Sequence, residues 1–375
     1  MTDTKLICFY LPQFHETEYN NRWWGQGYTD WMASKNARQY FKGHRQPRIP
    51  LNQNYYDLSE KDAAALKWQA DLAGKYGIYG FCIYHYWFPE KRLLEKPVEI
   101  LREHKEIDIH YSLCWDSKTW KRTWYADKYE EEVLMQQDFG DKKIWEKHFF
   151  DLLPDFQDRR YIKIDNKPVF HIYQAYAISC LAEMKECWNK LAVKNGFDGI
   201  YLVIGDVEHR GELAMNRSVD AFYNYEPMYA FYESRNSFYG RMTVARAGII
   251  KRINKYFYKS FLPDKRDART IYDKISAGEP ERDKKTYLGL FSDYDDTPRR
   301  QLKGAVYVNN DIRYFQRCLA RQLQKSRIAD NEFLYINAWN EWGESAYLEP
   351  DEENGFRYLE AVKEEIQRIK ELEDI

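Results

Sequence analysis

The sequence predicts an α/β fold: a single (β/α)8 TIM barrel with long βα loops and an extended helical excursion between strands six and seven. Three observations predict it. Eight short apolar runs alternate with segments of helical period. Polar and aromatic residues cluster just after those runs, where a parallel barrel gathers one end of its strands. The length, 375 residues, suits one barrel with elaborated loops.

The first apolar run, 6–11, reads as a strand. A polar and aromatic loop follows to Leu58, and Ser59 is positioned to cap a helix reaching about Tyr76, with Gly77 as its stop. Strand two covers 78–84 and a helix 90–104. Strand three, 109–114, runs into a Trp-rich loop, and a helix follows at 143–159. Strand four is 168–172, and the helix 179–194 closes at Asn195-Gly196. Strand five, 199–204, leads to a short helix at 208–216, and strand six is 221–225. Strand seven, 286–291, precedes a helix at 312–325. Strand eight, 333–337, precedes a final helix at 356–370. Residues 1–375 are thus expected to form one domain, with 229–285 an excursion within it. In that excursion the stretch 240–262 is basic and of helical period. Met242, Ile249, Ile250, Ile253, Phe257 and Phe261 are placed to share one face, with Arg246, Lys251, Arg252, Lys255 and Lys259 largely elsewhere. Two readings fit: docking on an anionic membrane surface or a lipid-linked phosphate, or a lid helix with a solvated basic face.

Composition narrows the function. The formal charge is −2, which provides no global field for nucleic acid. Aromatics are 17% of the chain, with 12 Trp and 32 Tyr, an excess expected of a sugar-binding cleft or of an aromatic-rich core. The six cysteines show neither CxxC nor metal-ligand spacing and read as reduced thiols. The opening MTDTKLICFYLPQFH enters a strand at once without a signal-peptide pattern. No apolar stretch reaches the roughly 20 residues a membrane span needs. The expected location is therefore the cytoplasm, at most the inner face of the membrane. No HxH, HExxH or Cys/His cluster points to a metal, and no cofactor is expected.

The chemistry is most legible in LYINAWNEWGESAYLEP. Glu341 and Glu344 lie three residues apart just past a strand end, beside the indoles Trp339 and Trp342, so a turn can aim both into one cleft. A carboxylate pair is the usual apparatus for glycosidic bonds. A carboxyl beside an indole would keep its proton, and a better solvated partner would stay ionised. Asn340 precedes the pair and Trp342 stands within it, and Glu349 follows, either in the site or capping the last helix. Further candidates to bind substrate lie after the other strands: Gln13 and His15, then Trp24, Asp30 and Trp31, all in the first loop. His85 and Trp87 follow strand two, Trp115 strand three, Tyr173 strand four and Asp295 strand seven. Arg299 and Arg300 read as structural partners.

The motifs LPQFH, WWGQGYTDW, HRQPRIPL, YDL, GFCIYHYWF, YIKIDNKPVFHIY, DDTPRR and AWNEWGESAYLEPD occur in this order across nearly the whole chain. Together they resemble the WbsX-like family, whose catalytic domain is similar to glycoside hydrolase family 99. The resemblance implies a TIM barrel acting on glycans. It implies Glu341 as a base that deprotonates a sugar 2-hydroxyl and Glu344 as the acid at the leaving oxygen, with retention through an epoxide-like intermediate. Neither metal nor nucleotide is implied. WbsX-like proteins are associated with bacterial surface-polysaccharide gene clusters, O-antigen and lipopolysaccharide among the settings expected, and often carry a glycosyltransferase label. The sequence departs from the pattern at Ser117 and Lys118, where an Asn-Glu pair is usual, and at Gly343, where Ala or His is usual. Asp30 stands where Glu is common.

The expected function is therefore a retaining endo-type glycosidase or transglycosylase. Its substrate is expected to be an oligo- or polysaccharide of the bacterial surface or its precursor, free or lipid-linked. A glycosyltransferase of polysaccharide biosynthesis is one alternative, although no nucleotide-binding Rossmann pattern is present. A non-catalytic glycan-binding barrel is another.

Overall fold

A computed structural model describes residues 3–89, 91–122, 132–207, 218–233, 238–256, 263–279 and 284–373. Eight parallel strands form the central sheet. In chain order they are β1 (Lys5–Tyr10), β2 (Ile78–Phe88), β3 (His110–Trp115), β4 (Lys167–Ile172), β5 (Tyr201–Asp206), β6 (Ala221–Asn224), β7 and β8 (Phe333–Asn337). Strand β7 is in two pieces, Thr286–Tyr287 and Gly289–Phe291. The first piece pairs with β6 and the second with β8, so one residue, Leu288, separates the two ends of the sheet path and the barrel closes on itself. β1 lies between β8 and β2, with Cys8 opposite Ile336 on one side and Phe81 on the other. Each strand is nearly continuous in apolar or aromatic residues because helices cover its outer face.

The barrel interior is aromatic rather than branched aliphatic. Phe9 packs against Tyr84, Tyr223, Tyr225 and Tyr335, with ring centroids 5.2–5.9 Å apart. His171 meets the Tyr335 hydroxyl at 2.7 Å. Gly205 makes room for this layer: a Cβ there would lie 2.5 Å from the Tyr223 hydroxyl. Much of the tyrosine excess is thus core, as are Trp31, Trp87, Trp115, Trp188, Trp339 and Trp342, all buried.

Several elements differ from expectation for local reasons. β2 extends to Phe88 and turns back as the antiparallel strand Lys91–Leu93, so the following helix begins only at Lys96. Ser59 caps no helix. Its amide and hydroxyl bind Asp57 Oδ1, and the helix starts at Ala64. The excursion contains the helices Met228–Glu233, Phe238–Tyr256 and Ala268–Ala277. It also contains an unforeseen strand, Asp264–Asp267, parallel to Ala305–Val308. The expected helix at 208–216 lies outside the described residues. Among the described residues no helix is long and apolar enough to cross a membrane.

Candidate active site

A cavity of about 530 Å³ opens where the strands end. At its base lies the turn after β8. Asn340–Glu341 pairs antiparallel with Ala346–Tyr347, and a 3-10 turn, Trp342–Glu344, joins them. Glu341 and Glu344 both line the cavity. One side chain holds them together. Arg299 Nη2 donates to Glu341 Oε2 at 2.8 Å, Nη1 to Glu344 Oε1 at 2.9 Å, and Nε to Asp30 Oδ1 at 2.9 Å. The guanidinium is buried and its donors are fixed in a rigid fork, which sets the positions of both glutamates. Asp30 Oδ2 also accepts from the Gly343 amide at 2.9 Å. A Cβ on Gly343 would lie 2.4 Å from Arg299 Nε and 2.7 Å from Asp30 Oδ1, so the pair occupies the space a side chain would need.

The two glutamates differ in environment. The Glu341 side chain is 6% exposed, whereas that of Glu344 is 19% exposed. Burial pushes Glu341 up to about 8, against the lowering pull of Arg299 and with added repulsion from Glu344 and Asp30. A third carboxyl, Asp296, also lines the cavity. Burial raises it to about 7; Arg300, whose Nε lies 2.8 Å from it, opposes the rise, and Glu344 adds to it.

Aromatic and cationic groups complete the wall. Gln13, Trp24 and Tyr173 line it as expected positions, together with Tyr84, Tyr86 and Trp120. The hydroxyls of Tyr84 and Tyr225 are 3.0 Å apart, and Tyr225 donates to Asn337 Oδ1 at 3.1 Å. At the departure in the loop after β3, Ser117 turns away and donates to the Gln174 carbonyl, while Lys118 faces the cavity with Nζ 4.6 Å from the Tyr173 ring centroid.

Other expected residues do not reach this cavity. His85 and Trp87 alternate with Tyr84 and Tyr86 along β2, so they point out of the barrel instead. His85 meets His148 at 3.0 Å, and burial holds both rings well below the usual histidine range. Trp87 stacks on His148 and donates to Asp151 at 2.7 Å. Trp115 likewise points outward and donates to the Trp87 carbonyl. His15 folds onto the Pro12 carbonyl at 3.0 Å. Asn340 is fully buried and clamps Leu11, accepting from its amide at 2.8 Å and donating to its carbonyl at 3.0 Å. Trp342 stacks on Tyr347 at 3.8 Å and packs beside Trp31. Trp342 also donates to Glu349 at 2.7 Å. Glu349 accepts from Gln69 and Tyr56 as well, far from any helix cap, and burial raises it to about 7. Asp295 ties His44, Gln46 and Thr297 together behind the cavity. Burial would raise Asp295, but those hydrogen bonds outweigh it and hold the carboxyl below its usual range. Asp30 acts through Arg299 and Gly343 rather than facing the cavity. Trp124, beside the Trp-rich loop, lies outside the described residues. Among the described residues no three His, Cys, Asp or Glu side chains converge as a metal site would require.

The parallel α/β barrel, with Glu341 and Glu344 at its strand ends, has a fold shared with glycoside hydrolases of known structure. The model of the family described as Glycosyltransferase WbsX matches residues 6–362, so the chain belongs to that family. It is similar to the uncharacterized protein WxcX of Xanthomonas campestris pv. campestris (strain B100), at 29% identity over 371 residues. The match covers 98% of this chain and 50% of that protein, so the chain spans about half the length of the curated relatives it matches. Among solved structures it resembles the GH99 endo-alpha-mannosidase from Bacteroides thetaiotaomicron, with TM-score 0.58, 12% identity and full coverage of both chains. A glycoside hydrolase-like protein matches with TM-score 0.58 and 14% identity over 98% of this chain and 94% of the other. At such identities the likeness is one of fold.

Proposed function

We propose that this chain is a glycan-processing enzyme, a retaining endo-type glycosidase or transglycosylase, in which residues 1–375 form one catalytic unit. Its substrate is a bacterial surface polysaccharide or its precursor. The observation that carries the reading is the fork of Arg299 on Glu341 and Glu344 at the base of a cavity walled by indole and phenol rings. Glu341, which burial keeps protonated in the resting fold below about pH 8, acts in its ionised form and takes the proton of the sugar 2-hydroxyl. The freed oxygen attacks the anomeric carbon and the glycosidic C–O bond breaks. Glu344 gives its proton to the leaving oxygen. Water or a sugar hydroxyl then opens the three-membered ring at the anomeric carbon and returns a proton to Glu344, while the 2-oxygen recovers its proton from Glu341. Two inversions give net retention. Burial raises Glu341 to about 8, so its carboxylate, once formed, is a stronger base than an ordinary glutamate, which suits removal of a proton from an alcohol. Lys118 and Lys121 bring positive charge to the cavity wall, which favours an acidic or phosphorylated glycan.

The family's description favours a second reading, transfer from an activated donor. One experiment separates the two. The wild type, Glu341→Gln and Glu344→Gln are incubated with the host polysaccharide and its lipid-linked precursor, and products are read by mass spectrometry. Fragments or size-shifted glycans from the wild type alone, without sugar nucleotide, support the proposal. Growth that requires sugar nucleotide makes the protein a transferase. Binding without turnover in any condition makes it a glycan-binding barrel.

A further inference from the structure

The helix Phe238–Tyr256 carries features that no step above uses. Its 19 residues include Arg241, Arg246, Lys251, Arg252 and Lys255 and no acid, in a chain whose net charge is −2. One face is buried through Ala247, Ile250 and Asn254. The helix packs on the strand Asp264–Asp267 and the turn Gln301–Lys303, and these supply Arg266 and Lys303 to the cavity wall. The opposite face departs from the sequence expectation. Met242 and Ile249 do not join Ile250 on the buried side; they stand 57% and 55% exposed. Ala245 lies between them and is exposed, which gives the 242, 245, 249 spacing of a continuous stripe. Exposed Arg241, Arg246 and Arg252 flank it. Phe257 and Phe261 lie outside the described residues.

We propose that this helix docks the protein on an anionic phospholipid surface, lying in the interface with Met242 and Ile249 inserted and the arginines on the headgroups. A cationic helix of low overall hydrophobicity with a bare apolar stripe has the chemistry that lies on a bilayer rather than crossing it. The excess of cations selects an anionic surface over a neutral one and over another copy of the same positive face. Because the helix packs on two elements that line the cavity, docking would hold the cavity near the membrane surface, within reach of a membrane-anchored substrate. The inference does not depend on which glycan chemistry occurs, since its readout is lipid binding.

The test is co-sedimentation of the full chain with vesicles of phosphatidylcholine alone and of phosphatidylcholine mixed with phosphatidylglycerol. Binding to the mixed vesicles should exceed binding to neutral ones by roughly tenfold or more and weaken with salt. The double variant Met242→Glu, Ile249→Glu and the double variant Arg241→Ala, Arg252→Ala should each lose that binding. Both change exposed positions, so an unaltered thermal melt is expected and marks the loss as specific. Absent binding, equal binding to both vesicles, or undiminished binding by the Met242→Glu, Ile249→Glu protein overturns the proposal. So does a wild-type dimer that this variant converts to monomer without any vesicle binding, which would make the stripe a self-association face.

Discussion

Replacing Glu341 by Gln should make the protein inactive and, above mildly acidic pH, more stable. The side chain is 6% exposed, and burial raises its carboxyl from 4.5 to about 8. In the fold it therefore keeps a proton that the unfolded chain has already released. Where the native state binds more protons than the unfolded state, stability falls as pH rises. For one group the slope is ~1.4 kcal/mol per pH unit, or roughly 4 kcal/mol between about pH 5 and pH 8. A glutamine of the same shape lacks this titration and can still accept from Arg299. The two proteins should match near pH 5, and the variant's advantage should grow steadily toward pH 8. Asp296 titrates in the same range but is present in both, so it cancels. Urea unfolding at a series of pH values measures the gap directly. A gap that stays flat, or a variant less stable at pH 8, would refute the reasoning. Glu341 would then be ionised in the resting fold, with its Arg299 pairing stronger than its desolvation.

Three further perturbations probe the surroundings of the pair. Arg299→Met strands Asp30, Glu341 and Glu344 without their shared cation and should cost ~3–5 kcal/mol in urea unfolding, with turnover lost. Gly343→Ala forces a methyl against Arg299 and Asp30; it should cost ~1–3 kcal/mol and cut kcat at least tenfold with little change in KM. Asn340→Ala leaves both backbone polar groups of buried Leu11 without their side-chain partner and should lower stability by ~2–4 kcal/mol while KM for glycan stays the same, a result that thermal and kinetic assays on the same preparation resolve.

The barrel was largely legible because each strand is a short apolar run between polar segments. The carboxylate pair was legible because its members are close in sequence. Much of the wall was not, for two physical reasons. The first is parity. In YHYWF the polar-looking His85 and Trp87 attract attention, but a strand sends alternate side chains to opposite faces, and here Tyr84 and Tyr86 take the inner one. Counting forward from Ile83 with a period of two would not have chosen the face without knowing the barrel's register. The second is distance along the chain. Arg299 meets Asp30 across 269 residues, and nothing local distinguishes it from Arg300, which binds its neighbour Asp296 instead. Motif richness also misled. Asn340, Trp342 and Glu349 lie beside the catalytic candidates in sequence, yet their side chains are used to brace the turn from behind.

The hub of Arg299, Asp30 and Gly343 joins the loops that follow β1, β7 and β8 into one rigid piece. Those loops therefore cannot be exchanged one at a time between relatives: a graft of any one would carry in a carboxylate without its cation, or a side chain where only a hydrogen fits. They must be inherited or engineered as a set. The loop after β3 supplies none of these three residues; Lys118 and Trp120 face the cavity from it, and Arg122 Nη1 donates to the Trp23 carbonyl of the first loop at 2.6 Å. A designer seeking a new specificity would begin with that loop, keep its Arg122 anchor on the first loop, and leave the three hub loops intact.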